Sequence, residues 1–231
     1  MKKVVLIILI GVVLNSCVVT VKNQRAIKYS IQAGINKGGI TENSDLSVLS
    51  NLPDENLVDA YSGATQLGAN AGVHVNKPLK YGEIESGLDY MFNAQTFRFD
   101  HQENMYVGVR ELNVNQWMVP ITWNFNVLQT VLPTAEIQLK LGLTGQLNFV
   151  SVRSTGTLPD YSINSLSGGG LFGISAYPVK FENGQKLGFY INVYRGSQIY
   201  EDYYNQKTFE IPGSSFIKGG IRYRFNITNN N

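Results

Sequence analysis

Residues Ala135 to Phe149 read A-E-I-Q-L-K-L-G-L-T-G-Q-L-N-F. Apolar side chains (with glycine at 145) fill the odd positions, and Glu136, Gln138, Lys140, Gly142, Thr144, Gln146 and Asn148 fill the even ones. A helix needs apolar residues at i, i+3, i+4 and i+7, and this pattern puts polar residues at i+3 and i+7. The stretch is therefore a strand with one greasy and one wet face. It is also long: soluble strands run about 5–6 residues, whereas a tilted membrane-spanning strand needs about 9–11.

Seven further segments alternate in the same way: Ile27–Ile35, Leu67–Val75, Gly82–Thr96, Glu111–Val127, Leu166–Tyr177, Leu187–Val193 and Ser215–Ile227. In the fourth, Leu112 and Val114 have the opposite phase to Trp117, Val119, Ile121, Trp123 and Phe125, which predicts a β-bulge near Asn115. The links alternate in length. Long or medium ones, 36–66, 97–110, 151–165 and 196–214, exchange with short ones at Asn76–Lys80, Leu128–Thr134 and Asn183-Gly184. That order predicts an all-β fold, an eight-stranded antiparallel up-and-down transmembrane β-barrel with short periplasmic turns and long outer loops. An even strand number puts both termini on the periplasmic side.

The wet faces carry glycine and short polar residues (Gly68, Gly72, Gly87, Gly142, Gly188, Gly220), which suits a narrow lumen better than a soluble surface. Charged residues are only 16% of the chain, against about 25% in soluble domains. On the wet faces, Lys28, Glu83, Glu85, Glu136, Arg222 and Arg224 fall near the periplasmic end. Buried charges must be paired, so these six are expected to form a lumen charge cluster. An eight-stranded interior is just wide enough for its own side chains, which predicts a plugged lumen. Trp117, Trp123, Tyr81, Tyr90, Tyr106, Tyr223 and Phe225 are candidates for interfacial belts.

The N-terminus reads as a targeting segment. Lys2 and Lys3 precede the apolar run Val4–Val13, which is too short to span a membrane as a helix. Leu14-Asn15-Ser16-Cys17 resembles a bacterial lipobox, and that resemblance implies lipidation of Cys17. The expected organisation is signal peptide 1–16, periplasmic tether 17–26, barrel 27–227 and tail 228–231. Cys17 is the only cysteine, so there is neither a disulfide framework nor a thiolate metal site.

Residues 25–227 resemble the PorT-like and OmpA-like outer-membrane barrel families. The resemblance rests on the alternations, on Trp117-Met118-Val119-Pro120-Ile121-Thr122-Trp123 and on the closing strand G-I-R-Y-R-F. It implies a non-enzymatic scaffold, surface-contact or secretion-accessory protein. Its partners would be outer-membrane lipid and a protein or surface ligand met through the acidic first loop and Tyr200-Glu201-Asp202-Tyr203-Tyr204.

Two other readings stay open. One is a soluble lipid-anchored barrel binding an apolar ligand. The other is a lipid-modifying enzyme using Asp100-His101 with Ser151 or Ser154. No HExxH, P-loop, GxSxG or Cys/His metal spacing occurs, so no catalytic residue, metal or cofactor is expected. A net charge of +2 without a basic cluster beyond Lys2-Lys3 argues against nucleic acid.

Overall fold

A closed sheet of two-faced strands has two solutions, greasy side in or greasy side out. The computed structural model takes the second. It describes residues 27–40, 58–61, 67–101, 106–127, 136–156, 163–182, 184–198 and 213–226. These form β1 (Lys28–Ile40), β2 (Val58–Tyr61), β3 (Gly68–Leu79), β4 (Gly82–His101), β5 (Tyr106–Val127), β6 (Glu136–Ser154), β7 (Leu166–Lys180), β8 (Lys186–Gln198) and β9 (Gly213–Asn226). All but β2 make an eight-stranded antiparallel barrel. Strands β3 to β9 follow one another around it, and β1 joins β3 to β9. Lys28 pairs with Asn226, so the barrel begins and ends at the same end, called here the near end.

Burial fixes the orientation of the faces. Arg222 is 0% exposed, whereas Leu143 is 71% exposed. Ile121, Ile191, Leu141, Leu147, Ile217 and Ile221 are likewise exposed large apolar residues, while Lys140, Lys218, Arg224 and Gln116 are buried. In water such an outer wall would carry a heavy hydrophobic penalty; in a bilayer it is the stable arrangement. On β6 the apolar outer positions run from Ile137 to Phe149. That is about 40 Å of strand, or roughly 30 Å of height at a tilt near 40°, matching a hydrocarbon core. The lipocalin-like alternative, with the greasy face inward, is incompatible with this burial.

Aromatic side chains mark both margins of the apolar band. At the near end Tyr29 stacks with Phe225 at 6.0 Å, Tyr223 with Phe225 at 5.9 Å, and Phe181 meets Tyr223 at 6.3 Å. Trp123 Nε1 donates to the Tyr81 carbonyl at 2.8 Å. At the far margin Tyr90 packs on Trp117 at 5.0 Å, and its hydroxyl donates to Asn115 Oδ1 at 2.6 Å. Rings with one polar edge suit this boundary. The side chain of Tyr106 lies outside the described residues.

Three expectations from the sequence fail. There is no bulge near Asn115: the residue pairs in unbroken register with Phe92 on β4 and Phe149 on β6. Register shifts fall instead at Phe99/Asp100, Ala176/Val179 and Arg195/Gln198. Leu112 and Val114 stay on the lumen face, both 0% exposed, where the upper lumen mixes apolar side chains with buried amides such as their register partners Gln95 and Asn93. The strand keeps its phase and the lumen changes character. Second, of the described residues in 97–110, 97–101 and 106–110 are strand and not loop. Strands β4 and β5 continue there to Asp100↔Tyr106, and β2 lines the edge of β4 from Arg98 to His101. Third, β3 runs on to Leu79, so the near-end turn is Lys80-Tyr81, followed by Gly82 at φ +97, a conformation costly for a side chain. The turn at 183–184 does close a hairpin, with Gly184 at φ +79 and its amide donating to the Phe181 carbonyl at 3.0 Å.

The orientation of the wall generates a contrast. Leu143→Lys places a charge at mid-bilayer and is expected to destabilise the barrel by about 2–4 kcal/mol in denaturant unfolding from lipid vesicles. Ser151→Lys, above the far aromatic margin, is expected to shift stability by less than about 0.5 kcal/mol. Equal losses at the two positions would contradict the placement of the bilayer.

Candidate functional site

The lumen face of each strand is set by parity, and parity delivers charges from different strands to the same interior. Strand β4 supplies Glu83, Glu85 and Asp89; β9 supplies Lys218, Arg222 and Arg224. Between these two strands around the wall stand β1 and β3, so the charges meet across the lumen.

Nearest the near end, Arg224 Nη2 lies 2.8 Å from Glu83 Oε1 and Arg224 Nη1 lies 3.2 Å from Glu136 Oε1. Lys28 Nζ is 3.7 Å from Glu83 Oε2, and Lys186 pairs with Glu136. Gln138 joins this layer by donating to Glu83 at 2.7 Å and accepting from Arg224 at 2.9 Å. The Arg224 guanidinium also stacks over the Tyr177 ring at 4.5 Å.

The next layer centres on Glu85. Arg222 Nη2 approaches its Oε1 at 2.8 Å, Lys140 Nζ contacts both oxygens at 2.9 and 3.1 Å, and Asn124 donates to Oε2 at 2.7 Å. Arg222 also donates to Ser30 Oγ at 2.7 Å. One step further in, Lys218 Nζ lies 2.5 Å from Asp89 Oδ2 and Gln32 donates to Asp89 Oδ1 at 2.8 Å. His74 stands between the two layers, with Nδ1 at 3.2 Å from Glu85 and Nε2 at 3.0 Å from Asp89.

Beyond Asp89 the ion layers give way to buried amides, hydroxyls and apolar side chains, with Arg110 buried higher still. Tyr190 donates to Asn70, and Asn36 donates to the carbonyls of Ala69 and Phe92. Met91, Met118, Tyr194 and Phe216 then form a buried cluster, with the Tyr194 and Phe216 rings stacked at 4.7 Å. The Tyr194 hydroxyl donates to Gln146 at 2.7 Å. Side chains from different strands thus meet in the interior both in the ion layers and in the Met91, Met118, Tyr194 and Phe216 cluster.

All six residues singled out in the sequence lie in the near-end half. The structure brings Lys28, Glu83, Glu136 and Arg224 into one layer and sets Glu85 with Arg222 in the next. Five further members were not assigned to the cluster: His74, Asp89, Lys140, Lys186 and Lys218. Parity put Asp89, Lys140, Lys218 and His74 on the wet faces already; what it lacked was their relative height, which depends on strand stagger. Cys17, the 1–16 and 17–26 segments, and Tyr200-Glu201-Asp202-Tyr203-Tyr204 lie outside the described residues. Asp100 and His101 lie in the backbone of β4 rather than in a loop, and their side chains are outside the described residues. Ser151 is exposed, while Ser154 Oγ accepts from Arg110 at 3.2 Å. Among the described residues no group of three or more His, Cys, Asp or Glu could hold a metal.

No protein-family model matches the chain, and no curated protein matches it. Among solved structures it is similar to the outer membrane protein OprG from Pseudomonas aeruginosa, at 10% identity and a TM-score of 0.47, covering 89% of this chain and 99% of that one. It is also similar to the outer membrane protein AlkL in lipid bilayers, at 12% identity and a TM-score of 0.38, covering 91% of this chain and 94% of that one. At these identities the likeness is one of form only, and no residue role is carried across.

The ion layers predict asymmetric mutational costs. Glu85→Ala strands Lys140 and Arg222 in the lumen and is expected to cost about 3–5 kcal/mol, because a buried charge left without its partner is worse than no pair. Glu85→Gln with Lys140→Met removes both charges together. That double variant is expected to recover at least about 1 kcal/mol relative to the sum of the single variants, measured as a coupling energy in a double-mutant cycle. Additive costs would mean that the two side chains do not interact.

Proposed function

We propose that the protein is a non-enzymatic outer-membrane barrel with a plugged lumen, serving as a scaffold or surface-contact protein of the cell envelope. The carrying observation is the lumen itself. Carboxylates, guanidiniums and ammoniums from β1, β4, β6, β8 and β9, with the His74 imidazole of β3, pair with one another in it, with an apolar cluster above. Such an interior is a structural core, and an open diffusion path would require removing it. Barrels with this inside-out pattern belong to outer membranes of the Gram-negative type. In this reading residues 1–16 direct export, Cys17 carries the lipid, 17–26 tether the barrel and the near end faces the periplasm. Contacts with a protein or surface ligand are then made at the far end. A secretion-accessory role rests on the PorT-like resemblance of the sequence and is the finer form of the same proposal.

Reconstitution in planar bilayers is expected to give no steady conductance for the wild type. Folded and boiled samples are expected to migrate differently in detergent gels. A stable open channel in the wild-type protein would sink the plugged-scaffold reading. Lipid attachment is a separate matter: labelled palmitate is expected in the wild type and absent from Cys17→Ser, and its persistence there would refute the lipobox.

A further inference from the structure

His74 is the only histidine whose side chain is described. It is 4% exposed, in the middle of a charged lumen; Nε2 is hydrogen-bonded to Asp89 at 3.0 Å, and Nδ1 lies 3.2 Å from Glu85 Oε1, within ion-pair reach but outside hydrogen-bond geometry. A neutral imidazole has one N–H and one lone pair. Whichever nitrogen carries the proton, the neutral ring turns a lone pair toward either Glu85 or Asp89. Only the imidazolium offers a proton to both.

The seat is shaped for this ring. A Cβ at Gly72 would lie 1.8 Å from Asp89 Oδ1 and 3.0 Å from His74 Nε2. A Cβ at Gly87 would lie 2.8 Å from His74 Nδ1 and 2.2 Å from the Val73 carbonyl. Two glycines, one on His74's own strand and one between the two acids, therefore leave the room in which ring and carboxylates meet.

The surroundings determine what the proton does. From β4 come Glu85 and Asp89, from β6 Lys140, and from β9 Lys218 and Arg222. Strand β1 contributes the neutral Gln32, and β8 contributes Tyr190, whose hydroxyl is held by Asn70. Glu85 is held by Lys140 and Arg222, and Asp89 by Lys218, while His74 reaches both acids.

We propose that His74 is a proton-operated pin: its imidazolium joins the Glu85 and Asp89 ion layers into one network, and its deprotonation separates them into two independent clusters. The barrel then remains plugged but loses the cross-tie between layers, so β3 is held less firmly against the interior. Loss of the proton removes one N–H contact and leaves an oxygen facing a lone pair. The cross-tie is therefore complete at low pH and lost as pH rises.

The experiment follows unfolding of the full-length protein in lipid vesicles from about pH 5 to about pH 9, bracketing the ~6.5 of free imidazole. It compares wild type with His74→Asn and His74→Gln, and records imidazole ¹⁵N shifts of the wild type. The wild type is expected to lose stability toward high pH in step with the ¹⁵N signal of the doubly protonated ring. Both variants are expected to lack that step. They should also lower the Glu85–Asp89 coupling measured with Glu85→Gln and Asp89→Asn. A second variant guards against misfolding: Gly72→Ala keeps the histidine and meets only side-chain atoms of its seat, and is expected to displace the pH step. The proposal is overturned if the variants retain the wild-type pH step, or if the ring is a single neutral tautomer throughout.

Discussion

The structure depends on an encounter between one acidic strand and one basic strand. Strand β4 brings Glu83, Glu85 and Asp89 to the lumen, and β9 brings Lys218, Arg222 and Arg224. Each acid meets a cation of β9: Glu83 meets Arg224, Glu85 meets Arg222, and Asp89 meets Lys218. The chain separation is large, 129 residues between Asp89 and Lys218. Isolated in hydrocarbon surroundings, either set would face a severe desolvation cost. Together they make the barrel's closure an electrostatic event as well as a hydrogen-bonded one. Since β9 is the last strand, the acids of β4 are fully matched only once the whole chain has joined the sheet.

Around that pairing the lumen is graded. Ion layers occupy the near end, amides and tyrosines the middle, and Met91, Met118, Tyr194 and Phe216 the upper part. The gradient explains how one wall tolerates glycine and another tyrosine at similar heights. Gly188 on β8 lies under the Tyr177 ring, where an added Cβ would come within 2.8 Å of it. Large side chains from one strand fill the space that small residues on another release, as close packing demands.

Much of this was legible because a strand's period is two. The alternation of 135–149 fixed which side chains of β6 face lipid and which face the lumen, and the same held for the other long segments. The apolar residues of the far lumen were not legible, since Leu112 and Val114 on a lumen face read as a phase change when hydrophobicity is taken to mean lipid. Strand ends beyond the membrane were also obscure. Between Phe97 and Arg110 the sequence is mixed in polarity, and there pairing with a neighbouring strand, rather than a periodic pattern, makes the structure. Cross-lumen partners such as Glu85 with Arg222 and Lys140 depend on stagger, which no single segment encodes.

The wall is not equally tall all round. Strand β4 continues past Phe92, its last residue paired with β3, and β6 continues past Leu147, its last residue paired with β7, while β5 stays paired with both. On the outer face of this extension Glu111 pairs with Arg153 and Asn113 with Ser151, above the Trp117 margin. The molecule therefore carries a parapet of β4, β5 and β6, edged by β2, clear of the lipid on one side of its rim. A partner arriving there meets hydrogen-bonded sheet whose ordering entropy was spent when the barrel folded, so less of the binding energy is consumed in fixing the surface.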